Sequence, residues 1–113
     1  MTKFTVYQID LDKFVVDGNF ISTELSRKHF NMTFNGEVDS MDYLLYYRPV
    51  CEIEANNLDE VFEIGNIGPE SRINRLDRMH SISVGDVICD EETGKLHTVA
   101  KFGFGRVGEK EAA

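Results

Sequence analysis

One stretch constrains the fold more than any other: residues 43–54, "YLLYYRPVCEIE". Leu45, Tyr47, Cys51 and Ile53 share one parity, while Arg48, Glu52 and Glu54 share the other. Such alternation, in a run rich in aromatic and β-branched side chains, puts apolar groups on one face of a strand and charges on the other. Pro49 interrupts the pattern. A proline has no N–H to give to a ladder, so the run predicts an edge strand, a bulge or two short strands.

The flanking sequence supplies partners for that strand. "FTVYQIDL" (4–11) predicts a first strand and "DGN" (17–19) a turn. Over 22–31, "STELSRKHFN", Ser22 or Thr23 caps a helix with Leu25, His29 and Met32 on one side, and 34–40 reads as a loop. "NNLDEVFEIGN" (56–66) predicts a short helix. Asn57 takes its N-cap and Glu60 the capping-box position; Leu58, Val61 and Phe62 form the buried stripe; Gly65 with Asn66 is the stop. Residues 67–81 show no clear period and read as a connector. "SVGDVICD" (83–90), a turn at 91–95 and "LHTVAKFGFGRV" (96–107) fit two or three short antiparallel strands. Gly85 and Gly94 suit positions of positive φ, and Phe102 and Phe104 are assigned to the core. The expected fold is α+β: one domain over 1–107, a small antiparallel sheet packed by one or two short helices, with 108–113 as a frayed tail.

Composition narrows the function. A chain of 113 residues is the length of one domain and buries a core without disulfide or metal. Cys51 and Cys89 therefore read as packed thiols. No apolar run is long enough to cross a bilayer, and "MTKFTVYQID" has no signal-peptide character, so the expected setting is cytoplasmic and away from membranes. Twenty carboxylates face twelve Lys and Arg, a net charge of −8. That balance repels nucleic-acid phosphates and favours a partner protein with a basic surface.

The C-terminal half carries a resemblance. Leu58 and Phe62 on a short helix, Asn66, Pro69 and Glu70 in the connector, and Ser81, Ser83, Val84, Asp86 and Val87 in "HSISVGDVI" occur in the order seen in the YodL-like domain. Gly103 and Phe104 match its closing step. Over residues 43–107 the chain resembles that family. It departs in a longer connector, which holds the arginines, and in "HTVAK" (97–101), which lacks the family's tyrosine-rich end. The resemblance implies a phage or mobile-element setting and no catalytic residues.

Several constellations are candidates for chemistry. His80, Ser81 and Asp86 supply hydrolase-like groups, with His97 as another base, but catalysis needs them in one line of hydrogen bonds, beside a deep polar pocket. The expectation is structural: Ser81 and Ser83 bond local backbone, and Asp86 fixes the turn into the strand. His29, His80 and His97 are scattered and Cys51 and Cys89 lack ligand spacing, so no metal is expected. "GFGRVG" (103–108) opens no helix, reads as a strand with a bulge and implies no cofactor. Arg72, Arg75 and Arg78, spaced by three, would line a helix face and contact phosphates, or pair with acidic groups as a solvated connector. Glu52, Glu54, Asp59, Glu60 and Glu63 form a run of carboxylates without an intervening cation.

The leading expectation is a non-enzymatic phage or mobile-element protein that binds a host protein through Glu52, Glu54, Asp59, Glu60 and Glu63, in host takeover or defence evasion. The alternative is a nucleic-acid-associated accessory protein using Arg72, Arg75 and Arg78. Tyr43, Tyr46 and Tyr47, with Pro49, would also offer a sheet edge for self-association.

Overall fold

β1 (Thr2–Ile9) runs through the middle of a six-stranded antiparallel sheet in the computed structural model, which describes residues 1–109. On one side lie β4 (Tyr47–Ala55) and β5 (Ile73–Arg75), on the other β6 (Val87–Asp90), β7 (Lys95–Val99) and β8 (Phe104–Glu109). A hairpin of β2 (Val15–Val16) and β3 (Asn19–Phe20) stands apart, closed by the turn at Asp17 and Gly18, both of positive φ. Three α-helices lie among the described residues: α1 (Thr23–Asn35), α2 (Ser40–Tyr46) and α3 (Leu58–Ile67). The α+β class is as expected, with a larger sheet and one more helix.

The residues of 43–46 are helical, contrary to the strand expected there. The cause is local: Asp39 Oδ1 accepts from the Asp42 N–H at 2.8 Å, and Asp42 Oδ2 accepts from the Asp39 N–H at 3.2 Å. This reciprocal box nucleates a helix that overrides the β-preference of Tyr-Leu-Leu-Tyr. Lys28 on α1 ties α2 down through Asp42 at 2.8 Å.

Pro49 sits beside a bulge, one of the forms its sequence allowed. Val6 pairs with Cys51 but Tyr7 with Pro49, leaving Val50 as the extra residue. A bulge switches the alternation. Cys51, Ile53 and Ala55 face the core under α3, whereas Tyr47, of the same numerical parity, packs on the opposite face with Val87 and Cys89. β4 lies inside the sheet, between β1 and β5, which covers only Cys51–Ile53, and Tyr43 and Tyr46 lie on α2 rather than along a strand edge. Tyr43 meets the Tyr7 ring edge-on at 5.0 Å, Tyr46 lies 4.8 Å from Phe14, and the Tyr47 hydroxyl donates to the Gly85 carbonyl.

The sheet thus has two cores. Phe4, Val6, Cys51, Ile53 and Ile88 pack against Val61 and Ile64 of α3. Val87, Cys89 and Leu96 pack with Tyr7, Tyr43, Tyr47 and Val38. In α3 the buried stripe is Leu58, Val61 and Ile64; Phe62, assigned to it from spacing, is exposed, because the helix runs one turn further and centres on Ile64. Gly65 is inside the helix, not its stop. A Cβ there would collide with the Ile82 side chain, and Gly68 is the C-cap. Ser22 caps α1, which extends beyond the expected end to Asn35, with Gly36 as its left-handed cap.

The connector contains a 3-10 turn (Glu70–Arg72) and β5, whose three residues are too few to show a period. Phe102 is 94% exposed in the β7–β8 turn rather than in the core, while Phe104 is half-buried. β8 carries the expected bulge, opposite Leu96 and His97, and its backbone pairing runs on to Glu109. Gly108 and Glu109, expected in a frayed tail, are thus strand backbone, and 110–113 lie outside the described residues.

Candidate functional site

The phrase 80–86 is clasped by side chains from distant parts of the chain. Gln8, at the end of β1 and almost fully buried, donates from Nε2 to the His80 carbonyl at 2.9 Å and to Asp86 Oδ2 at 3.0 Å, and its Oε1 accepts from the His80 N–H at 3.2 Å. Asn66 of α3 accepts from the Ile82 N–H at 2.6 Å and donates to the Ile82 carbonyl at 3.1 Å. Within the phrase, the Ser83 N–H donates to Asp86 Oδ2 at 3.0 Å, and Ser83 Oγ donates to the Ser81 carbonyl at 2.9 Å. The expected local roles of Ser83 and Asp86 are present. Gln8 was not foreseen, since its partners lie more than seventy positions away and no local pattern marks it.

No Ser-His-Asp relay is assembled. His80 Nδ1 lies 2.7 Å from the Ser81 carbonyl oxygen and 3.2 Å from Gln8 Nε2, with Gln8 standing between it and Asp86. His97 is on β7, outside this cluster. Among the described residues, no three His, Cys, Asp or Glu side chains are grouped to hold a metal ion.

The clasp forms the floor of an open cleft of about 760 Å³ between α1, the turn after β1 and residues 77–86. Four aspartates (Asp10, Asp12, Asp77 and Asp86), two histidines (His29 and His80), Arg48 and Arg78 contribute its charged and titratable lining. Arg48 is held by Asp77 at 3.1 Å. Asp86 is 3% exposed, and burial pushes its carboxyl up to about 6, against the opposing pull of the Ser83 and Gln8 hydrogen bonds and nearby His80. Burial lowers His29, which packs against Phe14 and Phe20.

The five carboxylates singled out from sequence are divided. Glu52 is bound by Lys3 at 2.9 Å and by Asn74 at 2.8 Å, and these hold its carboxyl below the usual range. Strand alternation sends Glu52 and Glu54 to the sheet face opposite α3. Glu60 pairs with Arg72 at 3.2 Å and accepts from Asn56, so its side chain does not close the capping box; Asn57 alone caps α3. Asp59 and Glu63 stay together, four positions apart on exposed α3. They flank Phe62, 38% exposed, at a groove of about 300 Å³ that Asp59 and Phe62 share with Val84, Val99 and Phe104. At the lip of this groove Lys101 lies 3.8 Å from the Phe34 ring centroid, and Phe34 stacks on Phe30 at 5.0 Å.

The arginines do not line one helix face. Arg72 donates to the Glu54 carbonyl at 2.6 Å as well as to Glu60, Arg75 binds Glu70 at 2.6 Å, and Arg78 lines the cleft. The pairing of Arg72 with an acid of α3 is the solvated-connector form.

The YodL-like domain family model matches residues 3–109. The chain belongs to that family. The match takes in β1, which the resemblance over 43–107 had left out and which is the central strand. No curated protein and no solved structure matches the chain. No helix among the described residues is long and apolar enough to cross a membrane.

Proposed function

We propose that this YodL-like domain protein is a non-enzymatic phage or mobile-element protein that acts in the host cytoplasm by binding a host protein with a basic surface. The observation that carries this reading is the groove beside Phe62. Its apolar lining of Val84, Val99 and Phe104 stands beside the exposed Phe62 ring, and Asp59 on its wall, with Glu63 one turn along α3, adds negative charge that is in no ion pair among the described residues. Apolar contact supplies the free energy of such docking, and charge complementarity supplies its rate and selectivity. The net charge of −8 acts in the same sense over longer range. A nucleic-acid role has less support, because Arg72 and Arg75 are already bound to carboxylates.

The test is capture of partners from host lysate by the tagged chain, with nuclease, comparing wild type with Asp59→Lys/Glu63→Lys and with Phe62→Ala. One stoichiometric protein, lost with both variants and weakened by salt, is the expected result. Capture unchanged by either variant, or abolished by nuclease, overturns the proposal; the nuclease-sensitive outcome points to Arg78 and its neighbours.

A further inference from the structure

The cleft over the Gln8–Asp86 clasp shares only Val84 with the groove beside Phe62, and the docking of a protein at that groove leaves the cleft unexplained. Its most informative atom is Asp86 Oδ1. Both hydrogen bonds to this carboxylate converge on the other oxygen, Oδ2. Among the described residues, no buried side-chain nitrogen or oxygen lacks a hydrogen-bond partner. Oδ1 accepts none among the described residues, so it is not the fully buried oxygen, and Asp86 lines the cleft. A carboxylate held from behind, with one oxygen presented to a cavity, is a preorganised acceptor.

The charges around it select the ligand. Arg48 is neutralised by Asp77, which leaves Asp10, Asp12 and Asp86 against Arg78 and the imidazole of His80. His29 adds no positive charge near neutrality, since burial lowers its affinity for a proton. A cavity with this excess of carboxylates concentrates cations and repels anions. Its volume of about 760 Å³ exceeds what a single ammonium head needs and suits a short chain carrying one.

We propose that this cleft binds a small organic cation, its ammonium or guanidinium group donating to Asp86 Oδ1 and its chain lying past Asp12 toward the mouth. Thr33 and Ser83 at the wall offer further acceptors for a second donor of the ligand.

The experiment is a two-dimensional NMR titration of the full chain at pH 7.5 with putrescine, with agmatine, and with 1,4-butanediol as the neutral isostere. Asp86→Asn is the main variant. Its side-chain oxygen can still accept from Gln8 and Ser83, while its amide turns a donor toward the cleft in place of the acceptor. Asp12→Asn, at the exposed rim, removes one charge without touching the clasp. The expected result is saturable shifts at Gln8, Ser83 and Asp86 with either cation and none with butanediol. Affinity falls at least tenfold in Asp86→Asn and about twofold to fourfold in Asp12→Asn. Three results overturn the proposal: equal shifts with butanediol, equal affinity in Asp86→Asn, or shifts centred on Glu54, Asp59 and Glu63 instead of the cleft.

Discussion

Gly85→Ala tests the contact on which the clasp depends. Gly85 has φ of +94°, a region where an L side chain costs about 1–2 kcal/mol. The second cost is steric. A Cβ at this position would press on the Met32 carbonyl oxygen, with the carbonyl carbon at 3.0 Å and Thr33 Cα at 3.2 Å. All three atoms are backbone of α1, so no side chain can swing aside, and the helix or the 83–86 turn has to move. Forced overpacking of this kind costs about 1–3 kcal/mol. The sum is roughly 2–5 kcal/mol, a large share of the ~5–15 kcal/mol that holds an ordinary domain together.

Gly18→Ala separates the two costs. Gly18 has φ of +80° but nothing within 4 Å of the added Cβ, so only the backbone term of about 1–2 kcal/mol applies. Urea unfolding followed by far-ultraviolet circular dichroism gives both values, provided the m-values agree. Gly85→Ala should be the less stable by at least about 1 kcal/mol. Equal stabilities would refute the seating of α1 on the turn that carries Asp86.

Two further substitutions probe the same region. Asn66→Ala removes both bonds to the Ile82 backbone and leaves a buried N–H without a partner, a loss of about 1–3 kcal/mol in urea unfolding; Asn66→Asp, which keeps the acceptor, should recover part of it, and no loss would mean that α3 does not anchor the phrase. Asp86→Asn carries a pH signature. With its folded value raised from 3.8 to about 6, the wild-type carboxyl favours the fold when protonated, and that stabilisation is present at low pH and lost as pH rises through 6. The gap corresponds to about 3 kcal/mol, so between pH 4 and 7 the stability difference should move in favour of the non-titrating variant by that order. A difference that stays flat across this range would contradict the burial of Asp86.

What could be read from the sequence was what is decided locally. Ser22 and Asn57 cap their helices because the bond each makes reaches only three residues ahead. Gly85 and Gly94 were recognisable because positive φ is a property of one residue. The errors arise where two local preferences compete or where register changes. Tyr43–Tyr46 have strand-like side chains, but the Asp39–Asp42 box sets the helix. Phe62 has the spacing of a buried stripe, but the stripe turns about Ile64. Tyr47 and Cys51 share a parity, but the extra residue at Val50 sends them to opposite faces.

The candidate sites were less legible because both are built by distance in the chain. The run of five carboxylates becomes an exposed pair on α3, Asp59 and Glu63, only after strand alternation has sent Glu52 and Glu54 to the other side of the sheet and Arg72 has taken Glu60. The triad-like phrase loses its catalytic reading once Gln8 stands between His80 and Asp86. The same residues explain why that phrase marks the family. Ser83 and Asp86 fix the turn and Asn66 holds Ile82, while Gly85 between them admits α1, so these positions answer to the docking of one layer on another. A motif of this kind reports the fold. The proposed binding roles accordingly fall on surfaces outside the clasp's own hydrogen bonds: the groove beside Phe62 and the mouth of the cleft above Asp86.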